Sequence, residues 1–322
     1  MTDYSLDDRF IENRAAWTDY WKTFTIERFG AVLAVIALVV AVAGYINQHG
    51  GLLNLTNIFG DFYANVSSEL ISIVITVLVV DRLNRAREKR DNEALQARLD
   101  EQELTRLKAL LGSNENVVTK IAVAELSAKG WLEDGSLADT YLREANLTGA
   151  YLRGAWLQGS TLRFVNLEGA NLMDANLEDT NLSYAQISGA NLSFAQISNS
   201  ILYAAIFENA ELSSANLEST NLEGIHLKGA NVRHANLSGA NMVDSYLEGT
   251  NLMDSNLEGV DLMYANLEHT NMYGVRCNEK TILPDGTTWT SDVDWAVFGA
   301  VELNAKGWNA YRKEHGLDKK SE

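Results

Sequence analysis

The sequence of 322 residues contains one cysteine, Cys277, and one proline, Pro284. A single cysteine cannot form an intrachain disulfide, which excludes the class of small disulfide-stapled proteins. Because proline interrupts helices and strands, its scarcity favours long regular structure. Basic residues are also few, with 26 Lys and Arg against 43 Asp and Glu and a net charge of −17. This balance argues against direct nucleic-acid binding, which depends on Lys and Arg neutralising phosphates.

The sequence also lacks the residue groupings that catalysis or metal binding requires. His226, His234 and His269 have no carboxylate or cysteine partner at a spacing typical of a metal site. The glycines recur at regular intervals and form no phosphate-binding loop. The sequence therefore predicts a protein that is not an enzyme, with no catalytic residues, no metal and no cofactor.

Two apolar runs near the N-terminus predict a membrane hairpin. The first, 29–46, has 18 residues without a charge, which is long enough for a candidate transmembrane helix. The second, 70–80, is too short to span alone. Extended back to residue 62 it reaches 19 residues, but it then includes Asn65 and Glu69. It therefore either spans the bilayer with Glu69 near the outer interface, or is an interfacial or core helix.

Flanking charges give this hairpin an orientation. The loop 47–68 contains no Lys or Arg, whereas basic residues precede the first run and follow the second. By the positive-inside rule, this predicts a multi-pass protein of the bacterial inner membrane with both termini in the cytoplasm. Glu69 is a candidate polar residue inside the membrane, with an interfacial carboxylate as the alternative. The candidates for binding anionic lipid headgroups are Arg82, Arg85, Arg87, Lys89 and Arg90.

A charged helical region follows the second run. From 81 to 111 leucines recur largely every three or four residues, which predicts an amphipathic helix that ends at Gly112. A second helix is expected from about 115 to 129. The leucine spacing does not sustain three heptads, so packing of this stalk against its own chain is favoured over a parallel coiled coil.

An unbroken five-residue period defines most of the remaining chain. Between Leu137 and Met272 every fifth residue is apolar, at 28 positions, and the residue two before it is usually small. Period five fits neither a helix nor an alternating strand. A chain that turns a corner every five residues makes a square, so four units close a coil of 20 residues and 28 units give seven coils. The rod is then roughly 30 Å long, with the leucines pointing to its axis.

Units such as ANLTG, ANLEG and ANLSG resemble the pentapeptide-repeat family. The resemblance implies a right-handed quadrilateral parallel β-helix with the central leucine and the preceding small residue inward. The stretch 281–294 resembles the tail that closes such repeats, and the residues after it predict a helical cap. The chain is thus expected to comprise a cytoplasmic N-terminal segment (1–28), a transmembrane helical hairpin (29–80), a cytoplasmic helical stalk (81–130), the repeat β-helix (131–276) and a C-terminal cap and tail (277–322).

A circuit of 20 residues also predicts which side chains share a face. Acidic residues fall on two opposite faces, and aromatic residues fall on the two faces between them. Exposed aromatic patches mark contacts, whereas acidic columns are either a solvated surface or a mimic of DNA phosphates. The candidate partner-binding residues are Glu168, Glu208, Glu248 and Glu268 on one acidic face, Glu178, Glu218 and Glu258 on the other, and Tyr184, Tyr203 and Tyr264 among the aromatics.

The family resemblance does not fix a function, although some members resemble duplex DNA and bind topoisomerases. The sequence favours a non-catalytic, membrane-anchored scaffold that presents a rigid β-helix to an unidentified cytoplasmic protein, with membrane lipid as a further partner. Two alternatives stay open. One is an oligomeric membrane pore or sensor, in which the hairpins of several copies associate and the solenoid forms a cytoplasmic body. The other is a DNA-mimic topoisomerase modulator.

Overall fold

The computed structural model describes residues 31–32, 34–36, 38–39, 42 and 56–317, with side chains in the last range from residue 68 onward. The chain divides between Leu99 and Asp100, and the two units are described separately. The predicted N-terminal segment 1–28 and most of the first predicted span, 29–46, lie outside the described residues. The few described positions in that span are helical.

Helix α1 runs from Thr56 to Leu111. Within it, apolar side chains of the stretch 70–80 are exposed, Ile71 by 53% and Ile75 by 57%. The eleven residues of this stretch would span about 16 Å as a helix, whereas the hydrocarbon core of a bilayer is about 30 Å thick. Across the part of the chain that the structure describes, no helix carries an apolar stretch long enough to cross a membrane.

This finding corrects the predicted location. The prediction of a multi-pass inner-membrane protein with both termini in the cytoplasm is wrong, because among the described residues the second apolar run does not reach the length of a span. The run reached the length of a span only when it was extended back to residue 62, through the polar residues Asn65 and Glu69. The transmembrane hairpin, the lipid partner and the membrane pore depended on that location, and they are not supported.

The end of α1 packs within the second unit. After Leu111 the chain turns and enters helix α2, Asn116–Ala128. Leu107 and Leu111 are fully buried in the same core as Leu126 of α2. Further back along α1, by contrast, the leucines of the predicted stalk are exposed by 50% to 60%: Leu83, Leu95 and Leu99. Packing against the chain itself therefore involves the last turns of α1.

Beyond α2 the chain forms a solenoid of stacked coils. Parallel bridges join residues 20 apart at every fifth position, from the pair Tyr141 and Thr161 to the pair Asn256 and Arg276. Each coil therefore contains four pentapeptides, as the period predicted. The bridges within these coils are isolated single pairs, and none of them extends into a continuous strand in the described residues.

Every pentapeptide turns in the same way. The residue two after the central one has φ between +52° and +70° in all units from Asp139 to Gly274. In most units the next residue donates its N–H back to the central carbonyl, as Ile225 does to Leu222 at 3.1 Å. A positive φ at this one position is characteristic of a type II turn. The repetition of this turn accounts for the regular square.

Gly169 offers a test of this backbone geometry. Its φ is +62°, and no heavy atom lies within 4 Å of the place that a Cβ would occupy. A side chain at this position would therefore not be crowded, but the left-handed backbone conformation would cost about 1–2 kcal/mol. Asparagine adopts this conformation more readily than other residues with a side chain. We therefore expect Gly169→Val to lower the free energy of unfolding by about that amount, and Gly169→Asn to lower it less. Chemical denaturation of both variants measures the difference; equal losses would contradict the left-handed turn.

A leucine column fills the solenoid axis. The central residues from Leu137 to Met272 are 0–3% exposed, and from Thr140 onward the residues two before them are buried as well. Several hydroxyl groups among these small residues find acceptors, as Thr180 does by donating to the Leu177 carbonyl at 2.7 Å, whereas the buried Ser245 hydroxyl has no partner among the described residues. Each buried leucine contributes about 2 kcal/mol. Since a single coil has no core of its own, stability is shared between neighbouring coils.

The asparagine that often precedes the leucine stabilises the corner of the coil. The Asn171 side-chain oxygen accepts a hydrogen bond from the Met173 N–H at 3.1 Å. On three of the four faces the amides also join successive coils, as Asn236 Nδ2 donates to Asn216 Oδ1 at 3.1 Å and Asn271 Nδ2 to Asn251 Oδ1 at 3.2 Å. These local bonds, repeated from coil to coil, explain the preference for asparagine at this position.

The first coil is covered by the segment that precedes it. Asn116 of α2 donates its side-chain N–H to the Thr148 carbonyl at 2.9 Å. The Asn146 N–H donates to the Ser113 carbonyl at 2.8 Å. An open edge of a β-structure would leave such groups unpaired and free to bind another chain. The turn and α2 therefore close one side of this end.

The tail closes the other end. Ile282 forms a bridge with Asp261, and Val301 forms one with Asn271. A 3₁₀ helix, Trp295–Phe298, and helix α3, Ala305–Glu314, bury Trp295 and Trp308, which are 4% and 2% exposed. The tail thus extends the ladder beyond the last complete coil and covers its edge.

Candidate protein-interaction surface

The 20-residue register gives the solenoid four faces. Face A carries Leu142 and every twentieth residue after it, and faces B, C and D start in the same way from Leu147, Leu152 and Leu157. Faces A and C are therefore on opposite sides, as are faces B and D. The residues one and two after each central leucine are mostly exposed or half-buried, and they form the outer surface.

The predicted glutamates form columns on faces B and D. The Ser198 hydroxyl donates to Glu178 at 3.1 Å, and Asn236 Nδ2 donates to Glu218 at 3.2 Å, so neighbours on face D hold two of them. On face B, the Lys228 ammonium group forms a salt bridge with Glu248 at 3.0 Å. Their role in binding a partner stays a prediction. The columns contain Glu168, Glu208, Glu248 and Glu268 on face B, and Glu178, Glu218 and Glu258 on face D.

Aromatic rings form a continuous line on face A. Phe164 and Tyr184 stack with ring centroids 5.0 Å apart and planes 5° apart, and Tyr203 meets Tyr184 edge-on at 5.4 Å. All three side chains remain 37–39% exposed. The structure thus brings two of the three predicted tyrosines into contact. Tyr264, 68% exposed, lies three coils beyond Tyr203 on the same face and does not join them.

Sequence reasoning missed the arginines at the start of this line. The guanidinium carbons of Arg143 and Arg163 each lie 5.3 Å from the ring centroid of Phe164, which places both cations in range of the ring face. The sequence did contain a signal for these contacts. In a coil of 20 residues, side chains at the corners of adjacent coils can meet when they are 19 to 21 residues apart. Arg143 and Phe164 are 21 residues apart, and Tyr184 and Tyr203 are 19 apart.

The histidines of the repeat make separate contacts. His226 stacks on Tyr246 with centroids 4.4 Å apart. His269 Nδ1 lies 2.7 Å from the Tyr311 hydroxyl of α3, and His234 Nδ1 lies 3.9 Å from a carboxylate in the next coil. Within the described ranges, no group of three or more His, Cys, Asp or Glu residues could hold a metal ion. The histidines contribute to stacking and to attachment of the tail.

The five basic residues of the predicted headgroup site lie on α1. They are exposed, and two have acidic neighbours on the helix: Arg85 pairs with Asp81 at 2.8 Å, and Lys89 with Glu93 at 3.8 Å. Glu69 is exposed as well. Because the predicted membrane location is wrong, the headgroup and intramembrane roles are dropped for Arg82, Arg85, Arg87, Lys89, Arg90 and Glu69.

Cys277 provides a chemical test of the packing at the end of the repeat. Its side chain packs against the core. Burial raises the pKa of the Cys277 thiol to about 12. The thiolate is the reactive form, so at pH 8 about one folded molecule in 10,000 would carry it. We expect thiol labelling by a disulfide reagent to be orders of magnitude slower in the native chain than in denaturant; equal rates would contradict the burial.

The repeat itself decides the family. A family model described as pentapeptide repeats matches overlapping stretches that together cover residues 132–276. The chain belongs to the pentapeptide-repeat family. Pentapeptide-repeat proteins adopt a right-handed quadrilateral β-helix, which agrees with the square circuit and the parallel ladder described above.

Solved structures of pentapeptide-repeat proteins are similar to parts of this chain. QnrB1, a plasmid-mediated fluoroquinolone resistance protein, is 18% identical over 57% of this chain and 89% of its own, with a TM-score of 0.40. HetL is involved in heterocyst differentiation regulation in the cyanobacterium Nostoc sp. strain PCC 7120. It is 22% identical over 52% of this chain and 98% of its own, with a TM-score of 0.24. Rfr23 from the cyanobacterium Cyanothece 51142 is 36% identical over 32% of this chain and 63% of its own, with a TM-score of 0.20. No curated protein matches the chain.

Proposed function

We propose that this pentapeptide-repeat protein is a non-catalytic recognition module whose solenoid binds another protein. The line of exposed rings on face A carries the proposal. The axis is already filled by leucines, so these rings are not needed to complete the core. Exposed aromatic clusters are characteristic of protein contact surfaces. Membership of the family supports a non-catalytic role, since its members are generally scaffolds.

The regular hydrogen bonding of the coils supports the same function. Each side chain on the surface is fixed by a backbone that is bonded to the coils on both sides, as in the bond from the Leu222 N–H to the Asn241 carbonyl at 2.7 Å. A surface that is rigid before binding loses little conformational entropy on association. The solenoid therefore suits recognition of a protein by fixed columns of side chains.

Site-specific photo-crosslinking tests this proposal. A photoreactive amino acid is placed at one exposed position on each face, Tyr203 on A, Lys228 on B, His234 on C and Glu218 on D, in the full chain expressed in its native cells. We expect a discrete protein adduct from one or two faces, with the other positions serving as matched controls. Absence of a protein adduct from all four faces would contradict the proposal.

A second candidate function is mimicry of DNA, and the two opposite carboxylate columns favour it. The segment from Leu137 to Arg276 contains 16 Asp and Glu against 6 Lys and Arg, a net charge of −10. At about 4.8 Å per coil this is one net negative charge per about 3 Å of rod, against one per about 1.7 Å in duplex DNA. The full chain at micromolar concentration is then expected to inhibit DNA supercoiling by a topoisomerase. Unaltered supercoiling would remove this candidate.

A further inference from the structure

The start of face A differs in charge from the rest of the solenoid. Its first four units, 140–144, 160–164, 180–184 and 200–204, contain three charged residues, Arg143, Glu144 and Arg163. Glu144 is already paired with Arg143 at 2.9 Å. One positive charge is left over in these units, whereas the whole segment from Leu137 to Arg276 has a net charge of −10. This part of face A is therefore suited to an acidic partner.

The aromatic line gives the same region its shape. Phe164, Tyr184 and Tyr203 touch in sequence across three coils, and the two arginines lie over the first ring. Arg163 is half-buried, and its Nε has no hydrogen-bond partner among the described residues. A buried donor without an acceptor is unfavourable in the free protein. Because the Nε itself is inaccessible, a partner's carboxylate would meet the accessible part of this half-buried side chain, next to the rings.

The dimensions of the line restrict what can occupy it. Four coils at about 4.8 Å each make a strip about 19 Å long, which matches about six residues of extended chain. Stable dimers and other standard interfaces bury about 800 Å² on each partner. A strip one or two side chains wide falls well short of that area, so a short segment fits it better than a second solenoid.

We propose that the aromatic line on face A binds a short, extended segment of a partner protein that carries a carboxylate next to aliphatic or aromatic side chains. The segment lies along the rod across four coils. Its carboxylate reaches Arg163, and its apolar side chains cover Phe164, Tyr184 and Tyr203. This inference rests on the proposed function and assigns a face and a partner chemistry to it.

A displayed library of random twelve-residue peptides, selected on the full chain, tests the proposal. We expect the enriched peptides to share an Asp or Glu beside aliphatic or aromatic residues. Tyr184→Ala should weaken binding of an enriched peptide by at least about tenfold, as loss of a central aromatic contact does. Arg163→Gln should weaken it severalfold, and this difference should disappear when the peptide's carboxylate is replaced by an amide.

Phe194→Ala is the matched control for Tyr184→Ala. Phe194 occupies the same turn position on face C with φ of +62°, against +61° for Tyr184, and is 53% exposed. Its replacement should change peptide affinity less than about twofold. Thermal unfolding of each variant checks that the solenoid is intact.

Several outcomes would overturn the inference. It fails if no peptide is enriched, if the enriched peptides lack a carboxylate, or if Tyr184→Ala binds as the parent does. Sedimentation in which Tyr184→Ala dissociates a dimer would instead assign face A to a second copy of the chain. Photo-crosslinks confined to faces B, C or D would leave the proposed function standing and remove this inference alone.

Discussion

Replacing Leu222 with aspartate is expected to unfold the middle of the solenoid. Leu222 points to the axis and is 1% exposed. Loss of a buried leucine costs about 2–5 kcal/mol, and a carboxylate held there without a partner adds a large desolvation cost. Because a domain is stable by about 5–15 kcal/mol in total, the variant should lose most of its cooperative unfolding transition. Thermal unfolding followed by circular dichroism near 218 nm measures this.

Glu223→Asp is the matched control for this substitution. It places the same aspartate one residue further along the same unit, where the side chain is half-buried at the outer surface. A surface change of this kind shifts stability by about 0.5 kcal/mol or less. If Leu222→Asp melted with the parent, the inward position of the central residues would be refuted.

Replacing Trp308 with alanine is expected to release the C-terminal cap. Trp308 lies on α3 and is 2% exposed. Truncation of a buried tryptophan costs about 3–5 kcal/mol. Just before α3, the Leu303 backbone exchanges hydrogen bonds with the Asn271 side chain at 2.8 Å and 3.0 Å. Loss of the cap would expose the edge of the last coil, so we expect faster proteolysis of the tail, a lower melting temperature and aggregation.

Two further variants show which property of Trp308 matters. Its indole N–H is buried without a hydrogen-bond partner among the described residues. Trp308→Phe removes that donor while keeping a ring, so it should lose clearly less stability than the alanine variant. Val297→Ala changes a residue of the same tail that is 76% exposed, and it should melt with the parent. Equal melting of Trp308→Ala and Val297→Ala would contradict the cap.

The coil could be predicted from the sequence because one rule repeats without a break. A period of five requires a corner in every unit, and the observed pairing of residues 20 apart follows from four corners. The irregular end could not be predicted in the same way. Ile282 pairs with a residue 21 positions earlier and Val301 with one 30 positions earlier. An inserted segment thus shifts the period, and its path depends on packing around Trp295.

The membrane prediction failed for a physical reason that concerns length. Apolar composition was read correctly over 70–80, but a span needs about 20 residues, and the required extension passed through polar positions. In the described residues the run continues directly into the charged part of α1, beginning at Asp81. Hydropathy alone does not distinguish a span from an apolar section of a longer helix.

The sequence was enough to predict which face each surface side chain lies on, but not which side chains touch one another. The 20-residue circuit places Tyr184 and Tyr203 on face A. Whether neighbouring rings touch depends on the side-chain torsions and on the left-handed backbone at the corner, where Tyr184 has φ of +61°. The stack of Phe164 on Tyr184, and the arginines over Phe164, follow from that geometry rather than from residue type.

Distances between spin labels test the 20-residue circuit most directly. Nitroxides are attached in a Cys277→Ala background at Glu218 and Ser238, which lie on face D in adjacent coils, or at Glu218 and Lys228, which lie on opposite faces. We expect strong dipolar broadening for the first pair, separated by about one coil spacing of 4.8 Å between backbones. The second pair, although closer in sequence, should give the sum of the single-label spectra. Broadening in the 218–228 pair, or none in the 218–238 pair, would contradict the circuit.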